Sequence, residues 1–252
     1  MSFPDFIITG SAKCGTTALW YNLDKHPFID MAVKNGTSVE MNFWRSRCWN
    51  KGKDWYKKQF KGKKLNGEKS ISYFFNKDSM RAIKNNIPNV KLLICLRHPV
   101  DRAFSNYQMN QRAGKINQKF TYGLFTQRYA KGGKYFNQIK NKILKFFDRN
   151  QVHICVMEWM KRDPTTEMKK VFKFLGVPDL GFPAKEIGGE LLKNHSRQQD
   201  IKKNRQEEFY RVWSKFTKRL NGNLRHQILN YYKPFNQDLF DFLGYRIEEW
   251  TR

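Results

Sequence analysis

Gly10-Ser-Ala-Lys-Cys-Gly-Thr-Thr17 follows the apolar run Phe6-Ile-Ile-Thr9 and precedes the helical pattern Ala18-Leu-Trp-Tyr-Asn-Leu23. A strand, a small-residue loop and a helix start in that order make a cradle for phosphate. Glycine lets backbone amides converge, and the helix start adds unpaired N–H groups and positive dipole. The usual nucleotide loop reads G-x-x-x-x-G-K-[ST], its lysine reaching the β/γ-phosphates. Gly10 and Gly15 keep that spacing, but Thr16 takes the lysine position and Lys13 lies inside the loop. Such a loop holds an anion on a nucleotide without being built for γ-phosphoryl transfer. The plainer alternative is an ordinary turn from strand to helix.

A second stretch adds a second anion site. Asn89-Val-Lys-Leu-Leu-Ile-Cys-Leu96 reads as a buried parallel strand, and Arg97-His-Pro-Val-Asp-Arg-Ala-Phe-Ser-Asn-Tyr107 follows it. Pro99 suits a helix start. Arg97 at the strand's end and Ser105 about two helical turns on can grip a phosphate from two sides. By itself an arginine at a strand end is more often a salt-bridged surface group. Together with the first loop it points to one nucleotide held at both ends.

These residues resemble the sulfotransferases that use 3′-phosphoadenosine 5′-phosphosulfate. The stretch 10–19 is similar to their 5′-phosphosulfate loop, and 96–107 to their 3′-phosphate motif. Gly67-Glu-Lys-Ser-Ile-Ser-Tyr-Phe74 and Val39-Glu-Met-Asn-Phe-Trp44 resemble segments of the heparan sulfate and related bacterial branch. Gly133-Lys-Tyr135, Asp163-Pro164, Phe174-Leu-Gly176 and Tyr232-Lys-Pro-Phe-Asn236 follow in that family's order. The resemblance implies a P-loop-type three-layer α/β fold, with a central parallel sheet flanked by helices. It implies that Ser11, Ala12, Lys13, Cys14, Gly15, Thr16 and Thr17 hold the 5′-phosphosulfate. Arg97 and Ser105 would take the 3′-phosphate, and Arg197, in Lys193-Asn-His-Ser-Arg197, would close over the donor.

The chemistry implied is in-line sulfuryl transfer. Lys13 would place its ammonium on the oxygen bridging phosphorus and sulfur, where charge builds as that bond breaks. Glu40 matches the family's catalytic glutamate and would take the acceptor's proton. Its aromatic neighbours, Phe43 and Trp44, would raise its pKa; otherwise it is a solvent-facing loop residue. Lys69 would be a second cation at the transferring group, or else a surface lysine. His98 and His26 read as structural. No γ-phosphate moves, so no metal is expected. Asn42 and Met109 stand where related glycan-modifying enzymes carry histidine, which bears on acceptor contacts more than on the donor.

Composition is compatible with this reading. The 252 residues allow one good α/β core, expected as a single domain over 1–252. Strands are expected over 6–9, 28–33, 90–96 and 152–157. Helices are expected over 16–24, 78–86, 100–111, 135–147, 165–175, 205–219 and 234–243. That alternation argues a parallel sheet covered on both faces. No apolar run approaches a membrane span, and the N-terminus shows no charged-then-apolar leader. Cys14, Cys48, Cys95 and Cys155 lack C-x-x-C spacing. They read as free thiols of a cytoplasmic protein, with Cys14 a small filler that the loop could leave open to oxidation.

Lys and Arg total 48 against 22 Asp and Glu, a net charge of +26. That excess would steer an anionic donor or an acidic glycan to the site, or would simply solvate the surface. Nucleic acid is not the expected partner. Trp44, Trp49, Trp55 and Tyr56 would stack an acceptor's sugar rings or belong to an aromatic core. Two other classes stay open: a P-loop kinase of a small molecule, which needs Mg²⁺ and a lysine beside Thr17, and a non-catalytic polyanion or nucleic-acid binder.

Overall fold

The computed structural model describes residues 2–34, 37–38, 40–45, 50–60, 64–181 and 220–251. Its centre is a five-stranded sheet in the order β2-β5-β1-β6-β7, with β1 Phe6–Gly10, β2 Ile29–Met31, β5 Leu65–Lys69, β6 Lys91–Leu96 and β7 Val152–Val156. Every pairing in it is parallel. A small antiparallel pair, β3 (Val33–Lys34) and β4 (Thr37–Ser38), lies apart from it. All residues of β1 are buried, as both-face coverage requires.

The helices are α1 (Thr16–Asp24), α2 (Gly52–Lys57), α3 (Lys77–Asn86), α4 (Pro99–Arg112), the single turn α5 (Tyr122–Leu124), α6 (Tyr135–Gln138), α7 (Met157–Arg162), α8 (Pro164–Leu175) and α9 (Gly222–Leu243). Pro99 occupies the first turn of α4, where its missing N–H costs nothing. Asp163 caps α8 by accepting from the Thr166 amide at 3.0 Å. The main core joins the sheet to the helices around Trp20, Phe74, Ile94, Ile139 and Trp250. A second core locks α4 to α9 through Val100, Tyr107, Tyr129, Ile228 and Tyr232.

Four expectations are corrected. The strand expected over 28–33 is shorter, ending at Met31 before the separate β3. The helix expected over 135–147 starts as α6 but widens into a π turn at Ile139–Ile143. The last helix starts at Gly222, so Pro234 lies inside it. Proline removes one backbone bond there, and burial of Ile228, Tyr232, Asn236, Leu239 and Phe240 carries the helix through. The fourth is β5, which was read only as a family segment and is an inner strand between β2 and β1. The helix expected over 205–219 lies outside the described residues. No described helix is long and apolar enough to cross a membrane.

Candidate active site

The loop 10–17 leaves β1 at the carboxyl end of the sheet and turns directly into α1. Gly15 makes that turn with φ 85°, a left-handed conformation for which glycine carries no side-chain penalty. No side chain caps α1. The amides of its first turn therefore point out of the helix without an internal partner. Thr16 is buried and Thr17 half-buried at this start. Ser11 differs from its neighbours. Its amide donates to the Cys95 carbonyl at 2.8 Å, so that N–H ties the loop to β6 and is not available to a ligand.

Cys14 is the filler its size suggested. It is buried, with its sulfur 3.6 Å from the Tyr135 hydroxyl. Burial pushes its thiol up to about 11, so the reactive thiolate is disfavoured and the loop does not leave it exposed. Cys95 and Cys155 are also buried and face each other across β6 and β7. Cys48 lies outside the described residues.

Cations gather around the loop. Arg97 donates from Nη1 to the Lys13 carbonyl at 3.3 Å, and Tyr135 fixes Arg97 from behind by donating to its carbonyl at 2.7 Å. Lys13 has its pKa lowered by burial, and then by repulsion from Arg112 and Arg97. Arg112 lies seven residues after Ser105 on α4, a spacing that puts both on one helix face. Ser105 itself is half-buried on α4. Lys161 of α7 adds a further cation, its pKa lowered first by burial and next by Arg97. Arg112 and Lys161 were not picked out from the sequence. They are basic residues on separate helices with no motif around them, and only the tertiary fold sets Arg112 against Lys13 and Lys161 against Arg97.

The other half of the site is carried by β5. Lys69 is buried and donates from Nζ to Thr17 Oγ1 at 3.3 Å. Beside it, Glu40 pairs with Lys69 through a backbone bridge. The Glu40 carboxyl is raised by burial and held back by the Lys69 charge and a hydrogen bond from Asn42. Lys69 is lowered by burial against the opposing pull of Glu40. A half-buried carboxylate with a raised pKa next to a buried lysine is suited to proton abstraction beside an electrophile.

Asn42 was first notable only as the absence of a histidine, yet it organises this corner. It adopts φ 49°, accepts from Ser72 Oγ at 2.5 Å, and its amide donates to Ser70 Oγ at 2.8 Å. The aromatic cluster is core. Trp44 and Tyr56 are buried, and Phe43 stacks on Tyr56 at 4.3 Å. Trp49 and Arg197 lie outside the described residues. His98 is buried at the start of α4. His26 is also buried, its Nδ1 accepting from the Phe28 amide at 3.2 Å, a structural arrangement.

A cleft of about 280 Å³ opens beside Ala12. Arg102, Arg128, Lys131, Lys142, Asn106 and Phe75 line it, and no carboxylate does among the described residues. Gly132 at its edge is required by close approach: a Cβ there would stand 2.4 Å from the Arg102 guanidinium. Arg102 itself is buried and donates to the Tyr129 carbonyl at 2.5 Å. Lys142 is lowered by burial and by Lys131. Gly132 therefore seats a buried arginine, and Gly133 beside it leaves room for the Tyr232 ring.

A model of the sulfotransferase domain matches residues 3–235. The bifunctional heparan sulfate N-deacetylase/N-sulfotransferase 1 of Caenorhabditis briggsae is 26% identical over 202 residues, covering 72% of this chain and 23% of its own length. The human protein of that name is 29% identical over 196 residues, covering 69% of this chain and 22% of itself. This chain thus spans less than a quarter of these curated relatives' length. A sulfotransferase crystal structure from Alicyclobacillus acidocaldarius superposes with TM-score 0.72 at 23% identity, over 100% of both chains. A mouse sulfotransferase, SULT7A1, complexed with PAP, matches with TM-score 0.50 at 16% identity, covering 78% of this chain and 65% of that one.

Proposed function

The chain belongs to the sulfotransferase family, and from that premise we propose that it moves the sulfuryl group of 3′-phosphoadenosine 5′-phosphosulfate to a hydroxyl or amine of a carbohydrate, with Glu40 as base. Membership removes the kinase and non-catalytic alternatives. The observation that carries the finer reading is Lys69, which touches Thr17 at the end of the phosphate loop and faces Glu40. One buried side chain thereby joins the proposed donor site to the proposed base.

In this reading the amides at the start of α1 and the Thr16 and Thr17 hydroxyls hold the 5′-phosphosulfate. Arg97 and Ser105 take the 3′-phosphate. The acceptor oxygen or nitrogen attacks sulfur in line, and its proton passes to the Glu40 carboxylate. The bond from sulfur to the bridging oxygen breaks, its electron pair staying with the departing nucleotide. Lys13 meets the charge on that oxygen, and Lys69 the charge on the moving sulfuryl oxygens. The repulsion that, after burial, lowers Lys13 is relieved once a polyanion sits among these cations.

The cleft beside Ala12 supports an acidic glycan as acceptor, because four of its side chains, Arg102, Arg128, Lys131 and Lys142, are cations with no carboxylate among the described lining residues. The names of the curated relatives, which specify heparan sulfate, favour the same class. Transfer of labelled sulfate from the donor should be assayed on an acidic polysaccharide, a neutral one and a simple phenol. Label on the acidic chain supports the reading. Label on the phenol alone overturns the acceptor while leaving the donor chemistry in place.

A further inference from the structure

Glu68 is a fully buried carboxyl at the carboxyl end of β5, and neither of its oxygens meets strict hydrogen-bond geometry with any described group. The hydroxyls of Tyr56, Tyr73 and Ser70 face it, and no cation among the described residues acts on it. Burial raises the carboxyl to about 8. An apolar side chain would fill this space at lower cost. A buried acid at this place calls for a role.

The surrounding bonds supply one. The Trp44 amide donates to Tyr73 Oη at 3.0 Å, and the Trp44 indole Nε1 donates to Tyr56 Oη at 3.2 Å. Each hydroxyl accepts from Trp44, so its own proton is free to point to the carboxyl that both rings face. Three successive residues of one strand end then hold alternate positions of the 40–45 segment. Lys69 pairs with Glu40, Ser70 accepts from the Asn42 amide, and Glu68 reaches Trp44 through the two tyrosines.

We propose that Glu68 is a positioning residue for sulfuryl transfer, which through Tyr56 and Tyr73 anchors Trp44 and so keeps the Glu40 carboxyl beside Lys69. This rests on Glu40 being the base. Glu68 touches no reacting atom; it acts by removing freedom from the segment that carries one. Removing it leaves two tyrosine protons without an acceptor and frees the segment to shift. Displacements of about 1 Å at a reacting group cost on the order of 10²-fold in rate.

The test uses the full chain with Glu68→Leu, Glu68→Gln and Tyr73→Phe, each checked for folding by circular dichroism. Glu68→Leu and Tyr73→Phe should lower kcat by about 10- to 100-fold, with binding of 3′-phosphoadenosine 5′-phosphate within about twofold, because the loop 10–17 is built on other contacts. Glu68→Gln keeps one acceptor and one donor and should recover all but about threefold of the loss. Amide exchange over 40–45 should speed up by about fivefold or more in the two losing variants and stay unchanged over 10–17. In a Glu40→Gln background, Glu68→Leu should cost no further turnover.

Wild-type kcat in folded Glu68→Leu, unchanged exchange over 40–45, or a full additive loss in the Glu40→Gln background would each overturn the proposal. If Glu68→Leu does not fold, Tyr73→Phe carries the same outcomes. Full activity of Glu40→Gln alone would remove Glu40 from the base role, while the exchange data would still report whether Glu68 anchors the segment.

Discussion

The proposed donor cradle and the proposed base segment sit side by side, joined by Lys69, and are built in opposite ways. The cradle is mostly backbone: a glycine turn, the uncapped amides of α1, and the Lys13 carbonyl that receives Arg97. The base segment is held by side chains, with Trp44, Tyr56, Tyr73, Ser70 and Ser72 each bonded across sequence separations of 12 to 30 residues. A backbone cradle is tolerant of side-chain loss and sensitive to turn geometry. A side-chain scaffold is the reverse, since removal of one buried partner strands another. The proposed reaction would thus depend on two parts with different failure modes.

That contrast can be broken in four places. Glu40→Gln should reduce turnover by about 10²- to 10⁴-fold with donor affinity nearly intact, measured by labelled transfer and calorimetry; full turnover would sever the base segment from the chemistry. Lys13→Ala should lower kcat by about 10²- to 10³-fold, since only one side chain of the cradle is asked to meet developing charge. Arg97→Ala should weaken binding of 3′-phosphoadenosine 5′-phosphate by about 10- to 150-fold, the loss expected for hydrogen bonds to a charged group. Losses in kcat without a change in donor affinity would place Arg97 with the base instead.

The smallest effect concerns stability. Glu68 has its folded carboxyl raised from the ordinary 4.5 to about 8. Below the lower value the acid is protonated in both states and adds no pH dependence. Between the two, the unfolded chain releases a proton that the folded chain keeps, so the stability from Glu68 declines as pH rises through this window. Above about 8 both states are ionised and the decline ends. Melting followed from pH 4.5 to 8 should therefore fall less steeply in Glu68→Gln than in the parent chain. Parallel curves would show that the carboxyl is not carrying a buried proton.

The same division explains what could be read beforehand. The cradle and the α4 motif were legible because loop spacing, a strand before and a helix after are local properties of the chain. The five-stranded sheet was legible only in part, because β5 reads Leu65-Asn-Gly-Glu-Lys69 and offers no apolar run. It is an inner strand regardless. Gly67 leaves room for the Phe6 ring, which a Cβ would meet at 2.2 Å, and Glu68 and Lys69 are buried for the site. Functional strands break the pattern by which strands are recognised. Glu40 and Lys69 were placed by family likeness alone, and nothing in their spacing announced that a tertiary bridge joins them. Asn42 was visible as a departure, whereas its bonds to Ser70 and Ser72 needed the fold.

Calorimetric comparison of 3′-phosphoadenosine 5′-phosphate with ATP on the unmodified chain tests the central claim most directly, because in the proposed site only the former would offer a phosphate to Arg97 and Ser105 with its 5′ end in the loop. The two-ended site predicts binding of the 3′-phosphorylated nucleotide by about 100-fold or more over ATP, as loss of a charge-assisted pair implies. Equal affinities would contradict it.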